Sequence, residues 1–151
     1  MNFRDLISNL RINPDLANNV MPIQSAAGTD GVVGMPVIKG MNFDGNAGLK
    51  RTNTEMVKIK SETLSHIISE VGLKRIDYMK SDCKGCENAF TKADFDLINN
   101  GVEIECSSNI DVIAKRLISA GFNISIRHYD PTNLKPLDVG GTILAFRKKP
   151  S

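Results

Sequence analysis

Lys80 and Asp82 stand two residues apart at the end of the run Ile76-Asp77-Tyr78-Met79. If that run is a strand, alternation sends both side chains to one face at its carboxyl end. Open α/β sheets hold their ligands there. Asp82 would then orient or deprotonate an acceptor hydroxyl, and Lys80 would stabilise the oxyanion charge that develops. A plain structural ion pair uses the same two residues equally well. Glu87 is the third catalytic candidate. It opens the next helical stretch, where a carboxylate also meets the positive end of the helix dipole favourably.

The same segment carries Cys83 and Cys86, a Cys-x-x-Cys at a strand-to-helix junction, and Cys106 ends what should be the neighbouring strand. A thiol near a helix N-terminus has a lowered pKa, which suits redox exchange, and three thiolates with one histidine could hold Zn²⁺. No second cysteine or histidine pair has finger-like spacing, so Cys83, Cys86 and Cys106 form an alternative site only. His66 and His128 are isolated in the sequence and read as ordinary surface or packed histidines. Glu105 ends its strand and could line the same cleft, although its alternation with Glu103 fits a half-exposed strand as well.

The elements that must position these groups follow a regular rhythm. Phe3, Leu6, Ile7 and Leu10 make a helical stripe that Pro14 ends. Val20 to Ala27 reads as a short strand, Gly28, Asp30, Gly31 and Gly34 signal turns, and Val37-Ile38 and Met56 to Ile59 read as short strands around a Gly- and Asn-rich loop, Gly40 to Thr54. Thr63 caps a helix whose buried stripe is Leu64, Ile67, Ile68 and Val71, and Gly72 supplies its left-handed stop. The strand Ile76 to Lys80 comes next. Gly85 opens a helical stretch containing the capping-box pair Thr91 and Asp94, which Gly101 closes. Val102, Ile104 and Cys106 alternate as a strand. Ser108 and Asp111 have capping-box-like spacing before a helix through Ile113, Leu117 and Ile118 that stops at Gly121. Phe122 to Ile126 and Thr142 to Phe146 form a final pair of strands around the loop Asp130 to Gly140.

Strands alternating with helices predict an α/β domain with a partly parallel sheet covered on both faces, finished at one edge by an antiparallel strand pair. With 151 residues, no internal repeat and no linker, residues 1–151 read as a single domain. The charge of +2 comes from 19 basic and 17 acidic residues. They are interspersed apart from Arg147-Lys148-Lys149, which leaves no footprint for nucleic acid. No apolar tract is long enough to span a membrane, and the first residues lack the apolar run of a secretory signal. An odd cysteine number suits a reducing compartment better than a disulfide framework, so a cytoplasmic protein is expected.

The stretch Thr63-Leu64 through Lys80-Ser81-Asp82-Cys83-Lys84-Gly85-Cys86-Glu87 resembles the signature of FkbM-type S-adenosylmethionine-dependent methyltransferases. That signature is a Thr-Leu helix start followed by a strand ending in Lys-x-Asp-x-Glu-Gly-x-Glu. Lys80, Asp82, Gly85 and Glu87 match, and Lys84 replaces the first Glu. Asn9-Leu10-x-x-Asn13, Ser25-Ala26-Ala27 and Val102 to Glu105 extend the likeness less specifically. It implies a Rossmann-type methyltransferase sheet, S-adenosylmethionine as cofactor, and O-methyl transfer to a small molecule or sugar, with Asp82, Lys80 and Glu87 on the acceptor side.

The family's cofactor grip is a strand, a Gly-rich turn, a helix and a second strand with an acidic end. This sequence has no counterpart, and no cofactor-binding residue is assigned. The first two strands of the family fold are therefore expected to be missing, with binding of the cofactor by this chain alone doubtful and the isolated chain inactive. An unpaired central strand would remain, so the sheet should pair in a homo-oligomer or with a separate N-terminal half. The reading from another class is a non-catalytic assembly module built on the same fold.

Overall fold

The computed structural model describes residues 2–37, 55–83, 85–128 and 140–147. The loop Gly40 to Thr54, Ile38, Lys84, residues 130–139 of the second loop, and Lys148-Lys149 lie outside them.

Local sequence signals set most of the elements. The stripe of Phe3, Leu6, Ile7 and Leu10 forms helix α1 (Asn2–Ile12), and Pro14 begins a short α2 (Pro14–Ala17) at the position where a missing N–H costs nothing. The Thr63 side chain accepts the His66 N–H and starts α3 (Leu64–Glu70). Gly72, at φ +75°, provides the left-handed stop. Thr91 and Asp94 form a complete capping box on α4 (Lys92–Asp96).

Two mixed sheets result. The first has the order β1 (Ala26–Ala27), β3 (Glu55–Glu62), β2 (Gly31–Val37), with β1 parallel and β2 antiparallel to β3. The second has the order β4 (Ile76–Ser81), β5 (Ile98–Cys106), β7 (Gly141–Arg147), β6 (Phe122–His128). In it β4 runs parallel to β5, and the rest is antiparallel. The chain is thus mixed α/β, and the expected antiparallel pair β6–β7 closes one edge.

Helix α5 (Ile110–Ser119), α4 and the 3₁₀ turn Cys86–Ala89 pack on one face of the second sheet. Phe95, Ile98, Val102, Ile104, Ile113, Leu117 and Ile143 are fully buried there. Each such side chain stabilises the fold by about 2 kcal/mol. Ala27 and Leu64 pack against this core from the N-terminal part. The opposite face exposes Tyr78, Leu144 and Phe146.

Several expectations need correction. The segment Val20 to Ala27 is a strand only at Ala26–Ala27, because Pro22 interrupts it without an N–H to pair. The turn signals Gly31 and Gly34 lie inside β2, where the β-branched Val32 and Val33 dominate. Gly101 does not close a helix. Leu97 caps α4, β5 begins at Ile98, and Gly101 is mid-strand. There its missing side chain admits the rings of Tyr78 and Phe146, since a Cβ would lie 2.9 Å from Tyr78 and 3.0 Å from Phe146. The N-cap of α5 is Asn109 at φ +57°, not Ser108. Asn tolerates that conformation, and its side-chain amide donates to Asn88 Oδ1 at 3.0 Å. Helices cover one face of the second sheet among the described residues, not both. Finally, β1 belongs to the other sheet, and β4 is an edge strand where an interior one was expected.

Candidate functional site

Two parallel strands end side by side at β4 and β5, with Ser81 opposite Ile104. The burial pattern of β4 turns Met79 and Ser81 toward the core and leaves Tyr78 and Lys80 outside. Asp82 follows directly and is exposed. Its charge acts on Lys80, so the two expected partners stay within electrostatic reach.

The direct partner of Lys80 is a different carboxylate. Lys80 Nζ lies 3.0 Å from Glu103 Oε1, its neighbour on β5. Hydrogen bonding to Glu103, its charge and, more weakly, Asp82 raise the Lys80 pKa. Lys80 is therefore a standing cation and not a base. Tyr78 Oη donates to Glu103 Oε2 at 3.4 Å. Partial burial and the Glu103 charge raise its pKa. The open face thus carries a Tyr78–Glu103–Lys80 row beside Asp82. Glu103 was missed as a functional partner because register between strands distant in sequence is invisible to spacing within one strand.

Glu87 takes a different position from its two fellow candidates. It is fully buried, and its carboxylate accepts from the Gly85 N–H at 2.5 Å and from the Ser107 N–H and Oγ at 3.0 and 2.8 Å. It ties the turn after β4 to the end of β5, so it holds the site in place and does not meet a ligand from solvent.

Cys83 and Cys86 are joined as a disulfide, with their Cα atoms 5.5 Å apart across the Gly85 turn. The odd cysteine count pointed away from a disulfide, but a local pair needs no framework. Cys106 is a fully buried thiol, pushed up to about 12 by burial and by the Glu87 charge. A three-thiolate metal site would require the disulfide to be reduced and Cys106 to ionise. Ser81 Oγ lies 3.3 Å from Cys83 Sγ, so the disulfide sits against the core side of β4.

His66 does not join this site: it stands on α3 beside Asp30 and Glu62. His128 is the last residue of β6. Glu105, facing Thr142 across the β5–β7 register, is half-buried. No helix among the described residues is long and apolar enough to cross a membrane.

With this geometry in hand, comparison with known proteins adds nothing: no family model, no curated protein and no solved structure matches the chain.

Proposed function

We propose that this chain provides the acceptor side of an FkbM-type S-adenosylmethionine-dependent O-methyltransferase, acting on a hydroxyl of a small molecule or sugar. One observation carries the reading. The motif residues Lys80, Asp82 and Glu87 gather at the carboxyl ends of the parallel pair β4 and β5, with Lys80 and Asp82 outside and Glu87 as the internal tie.

In this reading Asp82 receives the hydroxyl proton of the acceptor, and Lys80, kept cationic by Glu103, stabilises the oxygen as charge develops. The described residues do not fit the methyl donor itself. They include no Gly-rich strand-turn-helix and no acidic strand end placed to bind its ribose. No transfer step is derived from them, and the donor would be held by residues outside those described or by another chain.

Calorimetric titration with S-adenosylmethionine tests the reading. Saturable binding by the chain alone would support the reading, and injections without heat from a chain that elutes as one defined oligomer would count against it. That second outcome fits an assembly module using the same fold. The free outer edge of β4 and the exposed Tyr78, Leu144 and Phe146 favour this second reading among the described residues. In either case β4 would pair with a second copy or with a separate N-terminal half. A monomer in light scattering well above micromolar concentration would argue against such pairing.

A further inference from the structure

Glu62 ends β3 with its side chain only 2% exposed. Its Oε1 is buried and faces the Lys60 ammonium at 2.7 Å. A buried carboxylate needs a cation or donors in front of it, so what stands there matters. His66 and Glu70, four apart on α3, share one helical face, and Glu62 precedes that helix at the end of β3. One ligand atom each from Glu62, His66 and Glu70 lies within 4.8 Å of the others. His66 Nδ1 is 3.8 Å from Glu62 Oε1 and 3.3 Å from Asp30 Oδ1.

The cation now present is Lys60. Its Nζ lies 2.7 Å from Glu62 Oε1 and 3.5 Å from Glu70 Oε2. It supplies the positive charge that the buried Glu62 carboxylate needs. Asp30, Glu62 and Glu70 bring three carboxylates to the one ammonium and the His66 ring.

We propose that Glu62, His66 and Glu70 form a binding site for a divalent transition-metal ion of the zinc class, entered by displacement of the Lys60 ammonium. One imidazole with carboxylates is a donor set for Zn²⁺ and its neighbours, whereas oxygen-only sets suit Mg²⁺ and Ca²⁺. Shortening the ligand distances to coordination length requires only His66 and Glu70 to move. Both are about half-exposed, at 53% and 51%, as is Lys60 at 54%. The buried Glu62 is the fixed ligand. Asp30, which accepts the Thr63 N–H at 2.9 Å, is the nearest further carboxylate. The ion would clip the end of β3 to α3, the helix that leads into β4.

The sequence spacing Glu62-x-x-x-His66-x-x-x-Glu70 carried this signal, but His66 read alone did not reveal it. The proposal is independent of the methyltransferase reading, because none of its ligands belongs to the β4–β5 site.

Calorimetric titration of the intact, oxidised chain with zinc chloride tests it. One ion per chain is expected. His66→Ala should weaken binding by about tenfold or more, and Lys60→Met should tighten it by about tenfold because the competing ammonium is gone. His66 is exposed, so its replacement leaves the fold intact. Failure of both the native chain and Lys60→Met to bind saturably would overturn the proposal. So would a His66→Ala chain that binds zinc as tightly as the native one.

Discussion

Glu87 accepts both the N–H and the Oγ–H of Ser107, twenty residues away, while buried completely. A single carboxylate thereby holds the ends of β4 and β5 in register. Glu87→Ala leaves the Gly85 and Ser107 donors unpaired, and a loss of about 3 kcal/mol is expected. Ser107→Ala removes only the hydroxyl and should cost about 1 kcal/mol. Urea denaturation measures both, and the double mutant should lose less than the sum.

Arg147 is the last residue of β7 and the first of the basic cluster Arg147-Lys148-Lys149. Its guanidinium donates to the carbonyls of Ile98, Phe95 and Ala120. It also lies over the Phe122 ring, 4.3 Å from the centroid. Lysine cannot reproduce this planar fork. Arg147→Lys should cost about 2 kcal/mol, read as a lower urea midpoint with an unchanged m-value.

The Cys83–Cys86 bond closes a loop with a sequence separation of 3. Such a short loop restricts the unfolded chain little, so reduction should lower stability by about 2 kcal/mol and leave the fold intact. Without reductant, a thiol-reactive chromophore should find no thiol in the native chain and Cys106 alone in denaturant. Rapid labelling of the native, oxidised protein would contradict the buried, protonated state of Cys106.

Acid stability should depend on two carboxylates beside the first sheet's strand ends, Asp30 just before β2 and Glu62 at the end of β3. The Thr63 N–H and then His66 lower the Asp30 pKa below 3.8, and Lys60 and then Ser25 lower that of Glu62 below 4.5. Groups depressed on folding stabilise above their unfolded values, and that contribution fades as pH falls through the lower folded values. Lys60→Met removes the main cause for Glu62. Its curve of unfolding free energy against pH should therefore rise less steeply across the acid range than that of the native chain.

Elements with local signals were legible in the sequence. The Thr63 cap and the Thr91–Asp94 box each act within one helical turn, and the alternation of Val102, Ile104 and Cys106 reflects a buried face directly. Long-range pairing was not legible. Gly101 looked like a helix stop because its reason lies in two rings on β4 and β7. The Lys80–Glu103 pair and the inward turn of Arg147 likewise depend on which strands become neighbours. For the site, the proximity of Lys80 and Asp82 followed from spacing. The burial of Glu87 and the disulfide beneath it did not.

The first sheet has only Ser61 and Glu62 buried among its described side chains, while β5 and β7 run through the core. Its backbone amides should therefore exchange with deuterium through small openings, well before those of β5 and β7, which wait for the whole molecule to unfold. The protein would then behave as a firm C-terminal body carrying a softer ribbon. Anything that grips the ribbon at Glu62 would be felt first as slower exchange along β3.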